Sequence, residues 1–336
     1  MQNGRLILKR IEDVLATIQD LWRTNPTPRE EALAADLSNR LNELVRMQVT
    51  VEGSELWRAR CQSIAALAAT DDPRFFMRWQ PIRNTMVHGM GPSTLAEFRN
   101  LRRAADWQSV WKPALRHRQH GHPPPFPPMM SANAMAIEHA THLLRFRENL
   151  CVQFQDTDCV IEFGGGFGSM CRLVHALGFT GTYIIFDLPY VLALQRYYLG
   201  LHDIEADVDG QRGVRLCSRL GEVRRLLDTL APRRVSGMST WAMSEMPLEL
   251  RTQIEAIMMS RCDKLLLAWQ PAFEGIDNHA WFGQFMERSK DRFAWTQRAH
   301  RIDPEQATAT DSRYLFGVRR GGSQTIRGAE QSTPQR

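Results

Sequence analysis

The chain has 336 residues, 43% of them hydrophobic and 24% charged, with a formal net charge of +5. These values fit one large or two medium globular domains with a sizeable core, and they exclude a disordered, collagenous or disulfide-scaffold chain. The mild positive charge falls short of a nucleic-acid-binding tail, and no apolar run has the length that spans a bilayer.

In chain order, apolar residues at helical spacing from Ile7 to Trp22 predict a first helix. Asn25-Pro-Thr-Pro breaks it, and Thr27, Pro28 and Glu30 form a capping box for a second helix with Leu33, Leu37, Leu41, Leu44 and Val45 on one face. Ser54 starts a third helix through Trp57, Ile64 and Leu67, whereas Asp71 to Gly91 has neither a strand nor a helix period. The prolines around Phe126 cannot continue a helix or a central strand. The expected organisation is a helical N-terminal domain over 1–120, a Pro-rich linker at 121–131, an α/β domain over 132–320 and a disordered tail over 321–336. Ser131 is the expected cap of the helix that leads into the second domain.

From Cys159 the pattern becomes strand alternating with helix. Strands are predicted at Cys159–Phe163, Tyr183–Phe186, Val214–Cys217, Val235–Ala242 and Lys264–Trp269, with a helix after each. Phe293–Arg301 and Arg313–Arg319 alternate as two closing strands with no helix between them. This order predicts an α/β fold whose sheet is mostly parallel, covered on both faces, with an antiparallel edge. Six cysteines without a C-x-x-C pair, several in apolar runs, suit a reducing compartment. The N-terminus lacks the apolar core and cleavage site of a signal peptide, so the expected location is cytoplasmic.

Glu162-Phe-Gly-Gly-Gly-Phe-Gly168 ends the first strand of this sheet, where ligands bind in open parallel sheets. Its glycines let the backbone turn sharply and approach a ligand. Glycines at 164, 166 and 168 give G-x-G-x-G, and the dinucleotide fingerprint fails because its third glycine would fall on Ser169. A cofactor without a pyrophosphate, such as S-adenosylmethionine (SAM), suits the shorter motif better. Asp187 ends the second strand, 19 positions after Gly168, where a carboxylate accepts hydrogen bonds from both ribose hydroxyls. Leu188 and Pro189 are placed to pack on the adenine, and Glu162 to serve the cofactor's amino end.

These residues resemble motif I and the following acidic motif of class I SAM-dependent methyltransferases. Glu162 to Gly168, Asp187-Leu-Pro189, Gln195 with Tyr197 and Tyr198, and Thr240-Trp-Ala-Met-Ser-Glu-Met246 resemble, more narrowly, a family of sugar O-methyltransferases from natural-product and polysaccharide gene sets. The resemblance covers residues 158–270 and is weaker over Phe75 to Gly89. It implies a Rossmann-like methyltransferase sheet with an antiparallel last strand. It also implies SAM as cofactor, held by Glu162, Gly164, Gly165, Gly166, Phe167, Gly168, Asp187, Leu188, Pro189 and Thr240, and methyl transfer to a hydroxyl of a sugar or glycoside. Another small acceptor, or a non-catalytic SAM-binding scaffold, are the alternatives.

A hydroxyl acceptor benefits from a general base near the carboxyl ends of the strands. Glu245 and His279 are the candidates, with His300 a third; Glu245 equally reads as a cap of the next helix, His279 as a loop residue and His300 as a structural one. Trp79, Arg83, His88 and Trp241 are the candidate acceptor-binding residues, the first three reading equally as a packed interdomain segment. No metal site is called for: His117, His120 and His122 sit on a Pro-rich loop, and the spacing of Asp263, Glu274 and Asp277 demands none. The N-terminal helices are expected to cover the cleft or to form a homodimer interface.

Overall fold

The computed structural model describes residues 26–152, 154–207, 212–300 and 311–321. The helix expected over Ile7 to Trp22 and the tail from 322 lie outside these residues. Thr27 caps α1 (Pro28–Arg46) with the expected capping box. Ser54 caps α2 (Glu55–Thr70), its hydroxyl accepting from the Trp57 N–H. The stretch without a period becomes a 3₁₀ turn at Pro73–Arg78 and a four-residue helix at Gln80–Arg83, each with a proline in its first turn. A helix not expected from the sequence, α3 (Pro92–Leu101), follows.

The helix leading into the sheet, α4 (Ala134–Leu150), begins two residues later than expected. Asn133, not Ser131, caps it, and the Asn133 side chain accepts from the Ala136 N–H at 2.9 Å. The strands of the main sheet are β1 (Cys159–Phe163), β2 (Thr182–Phe186), β3 (Gly213–Cys217), β4 (Val235–Thr240), β5 (Lys264–Trp269), β6 (Phe293–Ala299) and β7 (Arg313–Arg319). The helices between them are α5 (Ser169–Ala176), α6 (Pro189–Leu201), α7 (Leu220–Leu230), α8 (Leu248–Arg261) and α9 (Asn278–Ser289). β4 stops two residues short of the expected Ala242 because Trp241 turns the chain at φ +71°.

The seven strands run in the order β3-β2-β1-β4-β5-β7-β6. β1 to β5 are parallel, and β7 enters antiparallel between β5 and β6. This is the expected Rossmann-like arrangement, with its order reversing between β1 and β4. Alternate strand residues face opposite sides. Val160, Tyr183, Ile185 and Met238 join a core with α1, α2, α4, α5 and α6. Ile161, Phe163, Ile184 and Leu265 join another with α7, α8 and α9. The carboxyl ends of β1, β2 and β4 therefore open at the switch point, beneath the N-terminal helices.

Candidate functional site

A cleft at this switch point contains about 980 Å³ of space free of protein atoms, part of it open to solvent. The floor is the glycine turn. Gly164, Gly166 and Gly168 have φ of +81°, +54° and +97°, a region that favours glycine. At Gly164 the requirement is doubled, because a Cβ there would stand 2.0 Å from the Ala242 Cβ. The turn is closed by the Gly168 N–H donating to the Gly165 carbonyl at 2.9 Å, after which α5 begins.

Asp187 faces the cleft from the end of β2. Its Oδ1 accepts from the Leu188 N–H at 2.8 Å and its Oδ2 from Gln195 Nε2 at 2.7 Å. The backbone N–H groups of Gly165 and Gly166 also bond to this carboxylate, which sets it directly against the glycine turn. Gln195 Nε2 also donates to the Gly166 carbonyl at 2.8 Å, which ties the glycine turn to the acid. Burial pushes the Asp187 carboxyl up to about 7, against the lowering effect of the hydrogen bonds it accepts. Glu162, 3% exposed, accepts from the Tyr183 hydroxyl at 2.8 Å. Burial raises its carboxyl to about 8, with the charge of Asp187 adding to the rise and the Tyr183 bond opposing it.

The wall opposite is built by the turn after β4. Glu245 does not cap α8: the cap position is Pro247, and no side chain bonds there. Instead Glu245 Oε2 accepts from Trp57 Nε1 at 2.8 Å and Oε1 from Gln270 Nε2 at 3.2 Å. Burial raises its carboxyl, against these two bonds and the nearby charge of Arg60. The turn is held from below by Arg251, which is fully buried and donates to the carbonyls of Met246 and Ser244 and to Asn278 Oδ1, each at 2.7 Å.

Of the residues expected to hold a cofactor, all but Gly168 and Pro189 line the cleft. Phe167 does so at its edge, its ring packed on Tyr198 and Phe76. His88, Trp241 and Glu245 also line it, whereas Trp79, Arg83, His279 and His300 do not. Trp79 is buried against an outer groove and Arg83 is exposed. The His279 ring is turned toward Trp269, whose Nε1 donates to Nδ1 at 3.2 Å, and toward Asp311.

The loop histidines stay apart in role. His117 Nδ1 meets the Leu115 carbonyl and His122 stacks on Phe75. Asp263 and Asp277 accept backbone N–H bonds at strand and helix ends.

Sequence reasoning missed the roof of the cleft: Gly53, Ser54 and Trp57 from the start of α2, Thr85 and Met86, and Met135 and His139 from α4. The cap signal at Ser54 located the helix but not what lay below it. Burial drives the His139 imidazole down to about 3, aided by the charge of His142. Trp241 shows the other unforeseen feature. With φ +71° and ψ −44° it is a non-glycine residue in a strained turn, a state that costs about 1–3 kcal/mol and clusters at functional sites.

No family model and no curated protein matches the chain. Solved structures with partial similarity include the small RNA methyltransferase HEN1, at 14% identity over 54% of this chain and 26% of that one, with a TM-score of 0.37. Magnesium protoporphyrin IX methyltransferase from Synechocystis, solved with bound SAM, has 11% identity over 69% of this chain and 100% of that one, TM-score 0.37. An O-methyltransferase family protein from Burkholderia thailandensis has 13% identity over 56% and 61%, TM-score 0.37. The chain thus spans about a quarter of the length of the HEN1 structure. At such levels the functional reading rests on the chain's own residues.

Proposed function

We propose that the protein is a SAM-dependent methyltransferase that moves a methyl group to a hydroxyl of a sugar or glycosylated natural product. The observation that carries the reading is the convergence of a glycine turn, the Asp187 carboxylate bound to that turn through Gln195, and Glu245 on a single cleft. The donor set fits the cofactor. Asp187 lines the cleft at the end of the second strand, where a ribose diol would bond to it, Gly164 to Gly166 let the backbone approach, and Phe186 and Leu188 give an apolar wall. Glu162, raised to about 8 in the free protein, supplies a negative charge once an ammonium or sulfonium group draws off its proton.

SAM supplies a methyl already activated on sulfur, so the protein has chiefly to orient the acceptor and exclude water. Trp57, Met86, Met135 and Trp241 line the cleft and restrict water around it. Glu245 takes the proton of the acceptor hydroxyl. Its burial raises the carboxyl toward the range where a general base works best, while Trp57 and Gln270 hold its two oxygens. His279 has no such access to the cleft. The sugar preference is the finer part of the proposal and is supported by the family resemblance of residues 158–270.

Calorimetric titration with SAM and its demethylated product tests the cofactor, and Asp187→Ala tests its ribose contact. Mass spectrometry over sugars, sugar nucleotides and glycosides reads the gain of one methylene on the acceptor. Folded protein that binds neither SAM nor its product would overturn the reading. Binding without transfer to any acceptor would leave a SAM-binding scaffold.

A further inference from the structure

Beside the Trp241 ring three side chains converge that the mechanism above does not use. Glu138 and His142 stand four residues apart on α4 and so share one face. His300 arrives just past the end of β6. A carboxylate oxygen of Glu138 and one ring nitrogen from each histidine lie within 4.8 Å of one another. The His300 ring stands 4.7 Å from that of Trp241 and 5.6 Å from that of His142.

His142 carries the case. It is fully buried, and its Nδ1 is 2.5 Å from the Tyr314 hydroxyl. Among the described residues its other nitrogen, Nε2, is buried with no hydrogen-bond partner, 3.7 Å from Glu138 Oε1. That is too long for a hydrogen bond. It is the separation of two ligands on one ion, since nitrogen and oxygen ligands each about 2.0–2.2 Å from a metal sit about 3–4 Å apart. In the tautomer whose Nδ1–H donates to Tyr314, Nε2 presents a bare lone pair toward an acidic side chain, and a cation between them satisfies both. A histidine ligand whose second ring nitrogen is fixed by a partner is the usual arrangement at metal sites.

We propose that Glu138, His142 and His300 bind a divalent transition-metal ion, Zn²⁺ or an ion of similar preference such as Co²⁺, at the wall of the cleft. Two imidazoles and one carboxylate favour such ions over Mg²⁺ or Ca²⁺, and three protein ligands leave a coordination position open. The cluster adjoins the cleft through Trp241 and His88. His88 lines the cleft, and its Nε2 lies 3.3 Å from Glu138 Oε2, the oxygen not turned toward His142. If the methyltransfer reading holds, an ion here stands where it can polarise an acceptor oxygen. The binding site itself does not depend on that reading.

The test uses full-length protein stripped with a chelator and assayed without SAM. Titration with Co²⁺, followed by its visible absorption, and with Zn²⁺ by calorimetry should give one ion per chain. Glu138→Gln and His300→Ala should each weaken binding at least about tenfold, and Tyr314→Phe by about tenfold through loss of the bond that orients His142. Circular dichroism establishes that each variant is folded, and His300→Ala, at a partly exposed position, keeps the test valid if changes at half-buried Glu138 or buried His142 prevent folding. Folded wild-type protein that binds neither ion, or binding unchanged in Glu138→Gln and His300→Ala, would overturn the site and leave a proton shared between His142 and Glu138. Loss of methyl transfer with metal binding intact would instead count against the proposed function alone.

Discussion

Substituting Gly164 and Gly166 separately with alanine should separate two roles of the glycine turn. Both have left-handed backbone, at φ +81° and +54°. Adopting that conformation costs an alanine about 1–2 kcal/mol. At Gly164 the added methyl would also stand 2.0 Å from the Ala242 Cβ and 3.5 Å from its Cα, so the turn after β4 would have to move. Overpacking of this kind costs a further 1–3 kcal/mol or so, giving about 2–5 kcal/mol in all. At Gly166 the nearest neighbour of an added Cβ is Met86 Sδ, at 4.0 Å across the cleft. Gly166→Ala should therefore lose only about 1–2 kcal/mol of stability, while its methyl enters the space a cofactor would use. Its SAM dissociation constant should rise at least about tenfold, or about 1.4 kcal/mol. Urea denaturation measures the first quantity and calorimetry the second. The reasoning fails if Gly164→Ala is as stable as Gly166→Ala, or if Gly166→Ala binds SAM like the wild type.

Four further outcomes are expected. Glu162 is raised from an ordinary carboxylate value to about 8, so in the unliganded protein it is protonated at neutral pH, and a cationic ligand must draw off that proton. SAM affinity should then climb with pH by up to about tenfold per unit and level off above about 8, a slope that Glu162→Gln should flatten. The same shift, with Asp187 at about 7, makes the unliganded protein lose stability as pH rises from the ordinary carboxylate range toward 8, because the unfolded chain ionises first; melting temperature against pH reads this, and the opposite slope in the wild type relative to Glu162→Gln would refute it. Glu245→Gln should lower kcat by about 10²–10⁴ with little change in SAM affinity, because the amide cannot take the acceptor's proton; an unchanged kcat would remove Glu245 as base. Arg251→Met should cost on the order of 3 kcal/mol or more in urea denaturation, because the Met246 and Ser244 carbonyls and Asn278 all lose a donor in a buried place.

The sequence made the sheet legible because its signal is local. Short apolar runs bounded by glycine or proline mark β1, β5 and β7 to the residue, and the cofactor turn and Asp187 lie within one strand–helix–strand unit. What escaped was set by residues distant in the chain. Trp57 and Glu245 are 188 positions apart, and His142 and Tyr314 are 172 apart. No period relates them. Asn133 and Ser131 are both good cap residues, and the choice between them depends on Gln119 and His117, which contact Asn133 from the preceding loop. The candidates that missed the cleft share a cause: Trp79 and His279 were placed by their order along the chain, but which way a ring points is decided by its packing, against an outer groove for one and Trp269 for the other.

The helix α6 links the two halves of the site. Gln195 on its inner face joins Asp187 to the glycine turn. Tyr197 and Tyr198, one turn further, pack edge-on against Phe76 of the N-terminal region. At its end Gly200 lies so close to α1 that a Cβ would come within 2.8 Å of Leu33 Cδ2, and Arg29 donates to its carbonyl at 2.9 Å. The roof that supplies Ser54, Trp57 and Met86 to the cleft is therefore fastened to the helix that sets the cofactor turn. A displacement of the roof reaches Asp187 through one rigid element, because a packed helix moves as a unit. An acceptor that pulls Trp57 and Glu245 together should accordingly tighten the cofactor half as well, and by linkage the cofactor should tighten the acceptor. Gln195→Leu removes the connection between α6 and the turn, so it should weaken that mutual effect more than it weakens acceptor binding alone.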